Sequence, residues 1–462
     1  MISELTPPAE YKQKVDEAAK QLQQLLAQGQ PIALKKNSKH IFKNSNKKTN
    51  LDLRHFNQVL SIDTDRKVAT VEGMTSFYDL VDATLAYGLM PQAVPELRAI
   101  TVGGVIAGLG GQSSSFKFGL VHEMVTDFEL ITGTGNVVHC SPDSHADLYY
   151  MLPNSYGSLG YVLKCTIKLN EVAPFVHVKF LRFDQAGDFF TALTKEVQSG
   201  TVDFVEGVSF SPQEYILLLG EFTDDLPHDE ILTIPRYEPF FQTVRNPQVQ
   251  EKVLTIRDYI WRWDPDAFWA TDQGNIIGAV LLHPLFRKTI GGSLLRSDRL
   301  IKFGQFRNRV RNRVNSGRFF TISTRKEALI QDAALPIEVA AEFDAWLGEH
   351  LHIYPLWYCP VKTTQPIGTY PLYQPGSEFV IDFGFYVSMA LEDQMPANHY
   401  NLQIEKKLTA LGGIKCLYSD TYYPPAEFWS IYDREKYTQV KEKYDPDHTF
   451  QDLYQKVITP LP

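Results

Sequence analysis

An α+β fold is predicted by three observations. Helical apolar spacing is confined to a few segments. Alternating or apolar runs bounded by turn residues are more numerous, and one glycine- and serine-rich stretch lies among them. The 462 residues are 44% hydrophobic and 21% charged, which supports a large core and two or three domains rather than a disordered chain. A net charge of -9 gives no global attraction for nucleic acid. The cysteines Cys140, Cys165, Cys359 and Cys416 include no C-x-x-C, which suits reduced thiols in a cytoplasmic protein. Neither an apolar leader nor a run of 18 apolar residues is found, so any membrane contact is expected to be peripheral. The histidines are scattered without metal-ligand spacing, and no metal is expected.

In order along the chain, residues 9–28 carry Val15, Ala18, Leu22, Leu25 and Leu26 at helical spacing, with Gly29 as a stop. Residues 31–34 read as a short strand running into a polar, basic turn, Lys36, Asn37, Ser38, Lys39 and His40. Residues 59–73 form a hairpin pattern, and Ser76 with Asp79 opens a helix that ends at Gly88. A helix is expected over 147–152, and a Gly/Ser turn from Asn154 to Gly160 precedes the strand YVLKCTIKL.

The chain is organised around residues 95–135. Gly103, Gly104, Gly108, Gly110 and Gly111 precede Ser113, Ser114, Ser115 and Lys117. Glycines let backbone approach a ligand, and hydroxyls with a lysine supply donors for a phosphate or another electron-rich group. After Gly119 the apolar run MVTDFELIT reads as a strand, and NVVHC as its partner beyond a Thr-Gly turn. The stretch is neither a G-x-G-x-x-G fingerprint nor a P-loop.

Thr101-Val102-Gly103-Gly104, the SSSFKFG run and Pro153 to Gly160 resemble the FAD-binding domain of the vanillyl-alcohol-oxidase-type (PCMH-type) flavoproteins. Within that superfamily the chain is similar to the delta-24 sterol reductase family and its bacterial relatives. Asp258 to Asp264, Ile353 to Pro360 and Glu427-Phe428-Trp429 extend the resemblance in the same order. It implies a two-subdomain FAD-binding domain over 1–173, a substrate or cap domain with an antiparallel sheet covered on one side over 174–405, and a segment over 406–462 that returns to the FAD domain. It also implies noncovalent FAD held by residues 36–40, Pro95, Thr101, Val102, Gly103, Gly104, Gly108, Ser113, Ser114, Ser115, Lys117, Gly119, Val125, Gly157, Gly160 and Val162. Some relatives bind flavin covalently through a histidine of the first loop, where His40 is the candidate. The usual glycines of that loop are replaced here by Asn37, Ser38 and lysines.

Between residues 286 and 320, ten basic residues face Asp298 alone among acids, interleaved with Leu294, Leu295, Ile301 and Phe303. That pattern suits an anionic membrane surface or a solvated helix. Residues 414–423 read as a strand rich in tyrosine, passing beside the flavin ring in similar proteins. For hydride transfer, the candidates that position substrate or move a proton are Tyr418, Asp420, Tyr422, Lys415 and the Arg262/Asp264 pair. The implied activity is FAD-dependent hydride transfer with a hydrophobic or lipid-like substrate. Three forms stay open: C=C reduction, alcohol or sugar-alcohol oxidation, and a relative that binds FAD or lipid without turnover.

Overall fold

The computed structural model describes residues 2–29, 32–35, 49–225, 240–264 and 325–460, with Leu285, Ser297 and Arg299. Lys36, Asn37, Ser38, Lys39 and His40 lie outside these residues, as does the basic stretch 286–320 apart from Ser297 and Arg299.

Helices and mainly antiparallel sheets combine into the α+β arrangement that the apolar patterning predicts. The first part of the chain gives β1 (Ile2–Glu4), β2 (Ile32–Lys35), β3 (Thr49–Asp52), β4 (Val59–Asp63), β5 (Val68–Glu72), β6 (Leu89–Pro91), β7 (Val125–Ile131), β8 (Val137–Cys140) and β9 (Tyr161–Glu171). Strands β2 and β3 pair in parallel. The others form a seven-stranded sheet in the order β1-β4-β5-β9-β7-β8, with β6 also on β9. The helix Pro8–Leu26 buries Tyr11, Ala18 and Leu22 at the expected spacing. Its core with Ile32, Leu51, Phe56, Ile131 and Tyr161 is completed by Phe450 from the other end of the chain.

The rest of the chain gives β10 (Phe175–Phe183), β11 (Phe204–Ser211), β12 (Glu214–Thr223), β13 (Glu251–Thr255), β14 (Lys326–Pro336), β15 (Leu356–Lys362), β16 (Phe379–Ala390) and β17 (Ile414–Lys415). They form an eight-stranded sheet ordered β13-β10-β12-β11-β15-β16-β14-β17. Alternation along each strand assigns its side chains to two faces. The outer face (Val205, Tyr358, Phe383, Leu329) packs against helices Ala186–Ser199, Ala340–Trp346 and His399–Ala410. The inner face (Phe204, Trp357, Cys359, Val380, Ala334) shares one continuous core with the seven-stranded sheet. The sheet is thus covered on both sides, where cover on one side is the sequence expectation.

Residues 414–423 depart from their predicted strand. Only Ile414–Lys415 pair, and they pair with β14 in the eight-stranded sheet. Beyond them, Glu405 takes the N–H of Tyr422 at 3.1 Å, and Thr459 takes that of Thr421 at 3.2 Å. Those side-chain acceptors replace the ladder that β-rich composition would otherwise build.

Candidate active site

The glycine-rich stretch folds first into the helix Val102–Ala107, laid directly on the strands. The Gly103 N–H donates to the Gly73 carbonyl at 2.8 Å, and a side-chain carbon on Gly103 would stand 3.1 Å from Val162 Cβ. These glycines serve close helix–strand approach. The second Gly/Ser turn is tied to the first: Asn154 N donates to Gly108 O at 3.0 Å, and Tyr156 N to Ala107 O at 2.7 Å. Asn154 and Tyr156 hold φ of 63° and 51° beside Gly157 at 72°, an unusual left-handed run for residues with side chains. Gly160, at φ 152°, leads into β9, whose Val162 lies under Gly103. Pro95 and Val125 are buried at the two ends of the stretch.

The polar side chains of the cradle already have protein partners, where the sequence reading makes them cofactor donors. Ser113 Oγ lies 3.1 Å from Tyr259 Oη and accepts from Arg262 Nη2 at 3.1 Å. Ser114 Oγ donates to Gln92 O at 2.8 Å, and Ser115 Oγ accepts the Gln112 N–H at 3.0 Å. Lys117 pairs with Asp203 at 3.3 Å. After Gly119 (φ 74°), Glu123 accepts from Leu120 N at 2.9 Å, and from Thr364 N and Oγ1 at 2.7 and 2.9 Å. These side chains lock the cradle to itself and to segments of the second half of the chain.

Arg262 and Asp264 do not pair with each other. Arg262 donates to Glu206 Oε1 through Nε (2.9 Å) and Nη2 (2.7 Å), while Asp264 pairs with Arg98 at 2.6 Å. Asp264 also accepts from Arg98 N at 3.0 Å and Ser297 Oγ at 2.6 Å. It therefore fixes the segment just before Thr101. Glu206, on the inner face at β11, further accepts the indole N–H groups of Trp263 (3.0 Å) and Trp357 (3.1 Å). This is a buried charge with its lone pairs fully used.

The C-terminal candidates separate as well. Lys415 pairs with Glu405 at 2.9 Å and donates to the Asp420 carbonyl. The Asp420 carboxylate accepts from Thr459 at 2.9 Å. Tyr422 is held by its backbone N–H on Glu405. These three build a structural knot. Tyr418 alone turns into the inner face, close to Asp332 and Tyr386.

There the structure assembles groups that sequence reading did not single out. Asp332 on β14 and Asp382 on β16 lie diagonally across the strand pair, since Asp332 opposes Gly384 and Asp382 opposes Ala334. Burial pushes the Asp332 carboxyl up to about 7. Burial, then the charges of Asp332 and Glu96, raise Asp382 well above the ordinary carboxylate range. Tyr386, Cys359, Cys416 and Tyr373 surround the two, each raised first by burial and then by nearby carboxylates or other acidic groups. His122 stacks edge-on against Tyr370 with centroids 4.5 Å apart, and burial lowers its pKa to about 3. A signal for the acids existed: a lone carboxylate inside an apolar run, ALIQDAALP and FVIDFGFYV.

Several buried polar atoms around this face have no partner among the described residues. They are Asp382 Oδ1, Ser155 Oγ, Asn154 Oδ1 and both ring nitrogens of His122. Native proteins rarely leave such atoms unmet. A flavin, with alternating ring donors and acceptors, fits them and the exposed cradle backbone. No group of three or more His, Cys, Asp or Glu among the described residues is arranged to hold a metal.

Comparison with known proteins agrees with this assignment. The FAD binding domain family matches residues 11–141. Delta(24)-sterol reductase of Homo sapiens is 27% identical over 406 residues, covering 86% of this chain and 76% of that protein. The Delta(24)-sterol reductase homolog of Caenorhabditis elegans is 24% identical over 423 residues, 86% of this chain and 77% of its own. Cytokinin dehydrogenase 3 of Oryza sativa subsp. japonica is 27% identical over 204 residues, 42% of this chain and 36% of its own. The chain is an FAD-dependent oxidoreductase. These matches support placement in the vanillyl-alcohol-oxidase-type (PCMH-type) superfamily, and the chain is similar to the delta-24 sterol reductases within it.

Proposed function

We propose that this oxidoreductase reduces a carbon–carbon double bond of a hydrophobic, sterol- or isoprenoid-like substrate. The residues up to about 173 act as a two-subdomain PCMH-type FAD-binding domain, the eight-stranded sheet acts as the cap over the flavin, and FAD is bound noncovalently. FAD, when bound and reduced, would supply the hydride. The supporting observation is the inner-face cluster of Asp382, Asp332 and Tyr418, a set of buried acids whose hold on their protons burial strengthens. Reduction of an isolated double bond needs a proton donor beside the hydride, whereas alcohol oxidation needs a base. The names of the sterol reductases support the same direction. Among the described residues no helix is long and apolar enough to cross a membrane.

The test is anaerobic. The purified protein, its flavin reduced chemically, is mixed with a sterol carrying a side-chain double bond or with a polyprenyl alcohol. Substrate-dependent return of the oxidised flavin spectrum is expected. Peroxide formation from alcohols in air, without that return, would replace the reductase reading by an oxidase.

A further inference from the structure

Resting on the reductase reading, we infer that Asp382 is the catalytic acid of this site, with Asp332 and Tyr418 as positioning residues that keep it supplied with a proton. Three observations carry this. Asp382 Oδ1 is buried without a partner among the described residues, which leaves one oxygen of its carboxyl uncommitted to the protein described. Asp332 stands diagonally across the β14–β16 pair on the same face. Tyr418 stands close to Asp332, whose charge raises the Tyr418 hydroxyl further.

The groups facing Asp382 come from every neighbouring element. They are Asp332 from β14, Cys359 from β15, Tyr386 from its own strand, Cys416 and Tyr418 from the C-terminal segment, Tyr373, and Glu96 before the cradle. All are acidic or neutral, and no described cation faces it. Neighbouring carboxyls titrate as a pair: one ionises first, here Asp332, and its charge raises the other.

The step balances. The π pair of the alkene takes the Asp382 proton to form one C–H bond as hydride from the reduced flavin forms the other, and the Asp382 O–H bond breaks. The alkene is reduced and the flavin oxidised. The carboxylate left on Asp382 regains a proton from solvent, taken up by the Asp332 carboxylate and passed across.

The test compares FAD-loaded wild type with Asp382→Asn and Asp332→Asn. Asp382→Asn should keep full FAD content, lose a protonated-carboxyl infrared band in the difference spectrum at neutral pH, and slow alkene-driven flavin reoxidation by about a hundredfold or more. Asp332→Asn should retain turnover at low pH but lose it at lower pH than wild type, by roughly a unit, because a neighbouring negative charge no longer holds Asp382 protonated. Reoxidation of Asp382→Asn within threefold of wild type, or an unchanged infrared band, overturns the assignment. Failure of the wild type itself to respond to any alkene overturns the reductase reading first and this assignment with it.

Discussion

Glu206 and Asp382 stand on the same face of the same sheet, two strands apart, and both are buried. Their surroundings are opposite. Glu206 accepts from two nitrogens of Arg262 and from two indoles, while Asp382 keeps an oxygen without a partner among the described residues and sits among other acids. The first arrangement stabilises an anion and pins Ser113, through Arg262, to the inner face. The second stabilises a neutral acid and leaves it available. A buried carboxylate is thus informative through its partners, not through its burial.

Breaking the satisfied site should have the largest effect. Arg262→Met would leave Glu206 an uncompensated buried charge and cost about 3–5 kcal/mol in denaturant unfolding, with loss of bound flavin. Glu206→Gln should cost a similar amount, since it leaves the buried Arg262 guanidinium without its carboxylate.

Relieving the acid pair should do the reverse, and only at one end of the pH scale. Asp332 takes its proton near 7 when folded and near 3.8 when its carboxyl is free in water. Its contribution to stability is therefore complete at acid pH and lost as pH rises from about 4 through 7. Asp332→Asn should flatten that loss, gaining on the order of 4 kcal/mol at pH 8 and almost nothing at pH 4. Thermal melts across that range would show a parallel wild-type slope if the idea is wrong.

His122 titrates the other way. Its folded pKa is about 3 against 6.5, so stability is kept above 6.5 and lost as pH falls toward 3. His122→Leu should hold about 3 kcal/mol more stability at pH 4 and leave pH 8 nearly unchanged. Lys117→Ala removes a partly exposed pair with Asp203 and should cost under ~1 kcal/mol. A larger loss there would mean that Lys117 contacts bound cofactor as well.

Much of the fold was legible because it is local. Alternation in FVHVKFLRF and EYILLLGEF marks β10 and β12, and the spacing of Ala18 and Leu22 marks the first helix. The glycine cradle was visible by composition, and the resemblance named its cofactor. Partnership was not legible. Arg262 and Asp264 look paired because only Trp263 separates them, yet their partners, Glu206 and Arg98, lie 56 and 166 residues away. The strand expected at 414–423 failed for the same reason, because Glu405 and Thr459 capture its N–H groups from outside the segment. Asp332 and Asp382 acquire meaning only when β14 and β16 align.

Phe450 completes the core that begins with Tyr11, and the Thr449 carbonyl accepts the N–H of Ile32 at 3.1 Å. Lys441, buried near the C-terminus, donates to Ser158 O at 2.7 Å and Phe450 O at 2.8 Å. On the ribosome, the core around Tyr11, Leu51 and Tyr161 therefore emerges without its last wall. Chaperones would have to shield that open core until some 300 further residues have been made. A reading-frame break late in the gene would damage the earliest-made part of the protein as surely as one near its start.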